Sequence, residues 1–102
     1  MRGLIEIDYM GKEEWEGFLE FLRKNIDNKI IKQSIKDLGV DFYLDGQTIR
    51  LVKSGKEIAD IKRMGNRKEV YVLPLASEET LKKSIASIAR IFFSRLIHVA
   101  VG

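Results

Sequence analysis

Val40-Asp41-Phe42-Tyr43-Leu44-Asp45-Gly46-Gln47-Thr48-Ile49-Arg50-Leu51-Val52 decides the fold of this chain. Val40, Phe42 and Leu44 alternate with Asp41, Tyr43 and Asp45, so an extended segment has one apolar face and one wet face. Asp45-Gly46 suits a two-residue hairpin, and Gln47 to Val52 returns as the partner strand. A Ser54-Gly55 turn leads into a third strand over Glu57 to Lys62. There Ile58 and Ile61 are three residues apart instead of two, which predicts a bulge or an edge position. Gly65-Asn66 turns the chain again, and Glu69 to Leu73 is a last strand that Pro74 ends.

Outward from this meander, Leu4 to Met10 alternates as another half-buried strand, with Ile5, Ile7 and Tyr9 predicted on the apolar face and Glu6 and Asp8 opposite. Gly11 ends it. Lys12 to Asn25 has a helical period, with Trp15, Phe18, Leu19 and Leu22 on one side and Glu13, Glu14, Glu16 and Glu20 away from it. Ile30, Ile31 and Ile35 resume the pattern as a second short helix or a bent continuation to Leu38, which Gly39 caps. Ser77 is the expected N-cap of a closing helix that carries Glu78 and Glu79 in its first turn. Ile97 to Val101, dominated by β-branched residues, suits either an extension of that helix or a sixth strand. The expected fold is α+β, a two-layer sandwich in the order β-α-β-β-β-β-α, with an antiparallel sheet and two helices on one face.

The chain has 102 residues, enough for one domain with one modest core. With no cysteine and a single histidine, disulfides and the usual zinc sites are excluded. Glu6 and Asp8 break the first apolar run, and Ser94, Arg95 and His98 interrupt the last, so a cytoplasmic protein without membrane contact is expected. The net charge of +3 is uneven, because residues 1–28 carry four basic and seven acidic side chains and residues 29–74 carry ten and six. An acidic start and a basic middle predict a two-sided protein, one side of which suits phosphate.

No catalytic constellation is legible. His98 has neither a nucleophile motif nor an orienting partner. Asp41 and Asp45 flank Tyr43 and, with Asp60 nearby, leave a divalent-ion site as the route to an enzyme. Lys53-Ser54-Gly55-Lys56 lacks the spacing of a phosphate-binding loop. No cofactor and no small-molecule substrate are expected. The best local signal is Lys62-Arg63-Met64-Gly65-Asn66-Arg67-Lys68, a hairpin tip whose cations straddle phosphates, with Arg50, Lys53 and Lys56 extending the patch and Tyr43 and Tyr71 stacking on unpaired bases. tRNA or another nucleic acid is the expected ligand. In the closing helix, Leu81, Ile85, Ile88, Phe92, Leu96 and Val99 form a stripe that suits the sheet, and Ile91, Phe93 and Ile97 a second one. The expected interface of a homo- or hetero-dimer is therefore Ile91, Phe92, Phe93, Leu96 and Ile97.

Two families resemble parts of this pattern. Leu81, Lys82, Ser87 and Arg90, entered from the strand Val70 to Leu73, resemble the last helix of the small dimerising Pcc-type subunit of the KEOPS complex; Ala86 stands where that family usually has Asn. The resemblance implies a non-catalytic scaffold that dimerises, bundles with the catalytic subunit and helps to hold tRNA during threonylcarbamoyladenosine formation. The element order, with Thr48-Ile49-Arg50-Leu51-Val52-Lys53-Ser54-Gly55-Lys56, is similar to one half of a TATA-binding protein. That likeness implies a DNA-binding module, with Val52 in place of that family's wedging Phe.

Overall fold

The computed structural model describes residues 3–102. Its elements are β1 (Ile5–Tyr9), α1 (Lys12–Asn25), α2 (Lys29–Ile35) with a 3₁₀ turn over Lys36–Leu38, β2 (Asp41–Asp45), β3 (Thr48–Lys53), β4 (Lys56–Met64), β5 (Glu69–Pro74) and α3 (Glu79–Val101). One antiparallel sheet has the order β1-β5-β4-β3-β2. β1 and β2 are consecutive strands at opposite edges, so α1 and α2 carry the chain across the sheet between them. α3 returns over the same face from the end of β5. The fold is the expected α+β sandwich with one refinement. Asn28 accepts a bond from the Ile30 amide at 2.7 Å and starts a separate α2, so three helices cover the face.

One continuous core joins the layers. Phe42, Ile49, Leu51, Ala59, Ile61, Val70 and Val72 rise from the sheet against Trp15, Phe18, Leu19 and Leu22 of α1, Ile31 and Ile35 of α2, and the underside of α3. The Trp15 indole donates to the Gln47 carbonyl at 3.1 Å and Arg23 donates to the Gly46 carbonyl at 3.0 Å, which pins α1 over the β2–β3 turn. Gly39 and Gly46 take positive φ where a helix ends and a hairpin turns.

Several local expectations are corrected. Ile7 is an extra residue in β1: Glu6 pairs with Tyr71 and Asp8 with Val70, so the pleat flips and Tyr9 points out. The irregularity in β4 falls at Ile58, between the pairs Val52–Glu57 and Leu51–Ala59, but β4 is interior and not an edge. Glu78, not Ser77, stands at the N-cap of α3, without a side-chain bond. Ile97 to Val101 are helical, which removes the sixth strand. The two edges are blunted alike: Asp8 accepts the Tyr9 amide at 2.8 Å and Asp41 the Phe42 amide at 2.9 Å, which occupies donors that another strand would need.

The expected interface is corrected as well. The buried side of α3 is Ala86, Ala89, Phe92, Phe93 and Leu96, rotated from the Leu81-Ile85-Ile88 line. Alanine at two of these sites lets the helix settle closely onto β4 and β5. Phe92 meets Phe42 edge-on at 5.4 Å, and Phe93 meets Phe18 edge-on at 5.5 Å and stacks on Trp15 at 6.2 Å. Phe92, Phe93 and Leu96 therefore belong to the chain's own core and are closed to a partner. Of the five residues, Ile91 stays exposed and Ile97 half-exposed. By length and mean hydropathy α3 also suits a bilayer span, but here its most apolar side is spent on the sheet.

Candidate functional site

The helix-free face of the sheet has a regular layout because the register fixes it. Tyr43, Arg50, Asp60 and Leu73 form one row, and Asp45, Thr48, Lys62, Tyr71 and Glu6 the next. Arg50 is the hub: its Nε donates to Asp45 at 2.9 Å and its Nη1 to Asp60 at 2.9 Å. Those two carboxylates raise the Arg50 pKa further above its ordinary value. Of the three carboxylates that suggested a divalent-ion site, Asp45 and Asp60 thus hold a guanidinium, and Asp41 accepts the Phe42 amide. Among the described residues no group of three or more His, Asp or Glu is placed to hold a metal ion. Tyr43 bonds Glu57, Tyr71 bonds Glu69, and Tyr9 donates to Glu6 at 3.0 Å, a bond that raises the Tyr9 pKa. On this face Glu6, Asp41, Asp45, Glu57, Asp60 and Glu69 outnumber Arg50 and Lys62, so the sheet surface is acidic.

The cations expected to act together are split. Lys53 and Lys56 pair at the β3–β4 turn, whereas Arg67 and Lys68 sit in the β4–β5 turn. These turns lie at opposite ends of β4, which has nine residues and spans about 26 Å at strand rise. Arg63 is anchored away from the tip, since its Nε donates to the Met10 carbonyl at 2.8 Å and ties β4 to the end of β1. Lys62 sits between Thr48 and Tyr71 on the acidic face, and Arg67 is 3.9 Å from Glu69. Tyr43 and Tyr71 are separated by β3 and β4 and offer no joint stacking platform.

Two features on the helical side were not legible in the sequence. The first is a cleft of about 310 Å³ between α1 and the end of α3, lined by Met10, Glu14, Gly17, Phe18, Phe21, Ile97, Ala100 and Val101. Gly17 lies in mid-helix, where glycine costs roughly 1 kcal/mol relative to alanine. A Cβ added there would meet nothing within 4 Å, so the monomer's own packing does not require glycine. Val101, beside it, is 79% exposed. The second feature is a groove of about 560 Å³ between α2 and the start of β2, lined by Lys29, Lys32, Gln33, Ile35, Lys36, Val40 and Asp41. The lysine spacing over 29–36 is visible in the sequence, but their position over an open groove depends on how α2 docks. Arg95 sets that docking, donating to the Ser34 carbonyl at 2.9 Å and pairing with Asp37, whose pKa it holds below the ordinary value.

The fold and these surfaces define a small α+β module with two open clefts on its helical side. Comparison with protein-family models, curated proteins and solved structures gives no match.

Proposed function

We propose that this chain is a non-enzymatic assembly subunit that pairs with a second copy of itself through the α1–α3 cleft and serves an RNA-bound complex. The cleft lined by Phe18, Ile97 and the exposed Gly17 carries the reading. An apolar cleft beside a mid-helix glycine that the monomer's packing does not need suits close approach of another helix. Charge supports a second copy as the source of that helix. Lys83, Arg90 and Ile97 are seven residues apart on α3 and so share one outer line with Val101, while Glu13, Gly17, Glu20 and Lys24 share one on α1, where Lys24 lies 4.0 Å from Glu20. Neither Lys83 nor Arg90 has an acidic partner among the described residues. A two-fold axis sets the acidic line of one copy against the basic line of the other, twice.

Ile97 remains in the interface from the expected set, and Phe92, Phe93 and Leu96 support it from below. Ser87 and Arg90, which carry the likeness to the dimerising tRNA-modification subunit, are exposed on the outer side of α3 and agree with a pairing role there. A DNA module of the TATA-binding type would use the open sheet face, and its excess of carboxylates repels duplex phosphate. Light scattering tests the pairing. The wild type should have twice the chain mass, and Val101→Asp and Gly17→Leu should shift it to the monomer with far-UV circular dichroism unchanged. A wild-type monomer at all concentrations would end the reading.

A further inference from the structure

We infer that the lysine-lined groove between α2 and the start of β2 is the track for single-stranded RNA. This rests on the RNA part of the proposed function and replaces the β4–β5 hairpin tip as the contact.

The argument begins with spacing. Lys29, Lys32 and Lys36 recur at i, i+3 and i+7, so they share one side of the helical segment. The groove they line ends at Asp41, whose register partner is Val52; Lys53 and its partner Lys56 follow at the same end of the sheet. Two expected nucleic-acid residues are thus joined to three lysines on another element. The hairpin tip has no such continuity, because Arg63 is bound to Met10 and Arg67 stands beside Glu69.

Three carboxylates lie near the lysines. Asp27 is 3.6 Å from Lys32, Asp37 pairs with Arg95, and the Asp41 carboxylate accepts its neighbour's amide. Lys29 and Lys36 have no ion pair among the described residues. Three lysines against one carboxylate, Asp41, give the groove lining a net positive charge, while the sheet face around the corner is acidic, and this steers a polyanion to one side. The choice of a single strand follows from the floor. Ile35 and Val40 form it, and apolar side chains suit the exposed base faces of a flexible strand, which a duplex keeps stacked inside. Gln33 supplies a donor and an acceptor for base edges.

The test is fluorescence anisotropy with a labelled oligouridylate, read as a function of salt. Three lysine contacts to a single strand contribute about −2 to the slope of log affinity against log salt. Lys29→Ala/Lys32→Ala/Lys36→Ala should flatten the slope by that amount. Between about 50 and 200 mM salt the wild type should lose roughly twenty-fold more affinity than the variant. Arg67→Ala/Lys68→Ala should leave the slope in place. A slope that falls with the hairpin variant and not with the α2 variant overturns the groove assignment while RNA binding stands. A wild type that binds duplex DNA more tightly than the oligouridylate overturns it too. Absence of any oligouridylate binding, with both variants folded, removes the RNA role itself.

Discussion

Replacing Phe93 with alanine separates core from interface in one experiment. The ring is 2% exposed and lies against Phe18 at 5.5 Å and Trp15 at 6.2 Å. Truncating a buried Phe removes its transfer free energy and leaves a cavity, about 3–5 kcal/mol together. Total stability for such a domain is about 5–15 kcal/mol, so a large share is lost. At roughly 4–8 °C per kcal/mol for a chain near 100 residues, the midpoint should fall by about 12–40 °C. Ile91→Ala is the internal control. Ile91 is 45% exposed, and since full burial of such a side chain is worth about 1.5–3 kcal/mol, its loss should cost only about 1 kcal/mol. Thermal and urea unfolding followed by circular dichroism give both numbers under dilute, monomeric conditions. A Phe93→Ala protein as stable as the wild type but altered in mass would refute the packing and return Phe93 to the interface.

Gly17→Ala should stabilise the monomer by roughly 1 kcal/mol, because nothing crowds its Cβ, and weaken dimerisation; urea unfolding and sedimentation read the two effects separately. Asp37 titrates below the ordinary carboxylate range because Arg95 bonds its charged form. The stability from this pair is therefore present above the unfolded-state pKa and lost as pH falls through the folded one. Carbon-detected NMR of the Asp37 carboxyl should show the low value, and Arg95→Ala should restore the ordinary one. Arg50→Ala strands Asp60, which is largely buried, so it should cost more in urea unfolding than Asp60→Asn, which leaves a neutral hydrogen-bonding partner for Arg50.

The hairpin, the α1 stripe and the Gly39 cap were legible because each is a local matter of period or turn chemistry. Trp15, Phe18, Leu19 and Leu22 are the buried residues of α1, as their spacing implies. Tyr9 was misplaced because one bulged residue at Ile7 inverts everything after it, and alternation cannot reveal a bulge. The underside of α3 was misread because hydrophobicity favours Leu81 and Ile85, while close packing on the sheet favours Ala86 and Ala89. Whether Phe93 faces a partner or its own chain depends on where α1 lies, which no local pattern encodes. The cations illustrate the same limit. Lys53, Lys56, Arg67 and Lys68 read as one patch along the chain, yet the two turns holding them are a full strand length apart. The α2 lysines gain their meaning only once Arg95 fixes that helix beside β2.

The pairing claim is tested most directly by an isotope-filtered NMR experiment on an equal mixture of labelled and unlabelled protein. Contacts that cross between copies should connect the Gly17 α-protons with the methyl groups of Ile97 and Val101. Intermolecular contacts confined to the sheet face, or none at concentrations where the mass is doubled, would contradict the account.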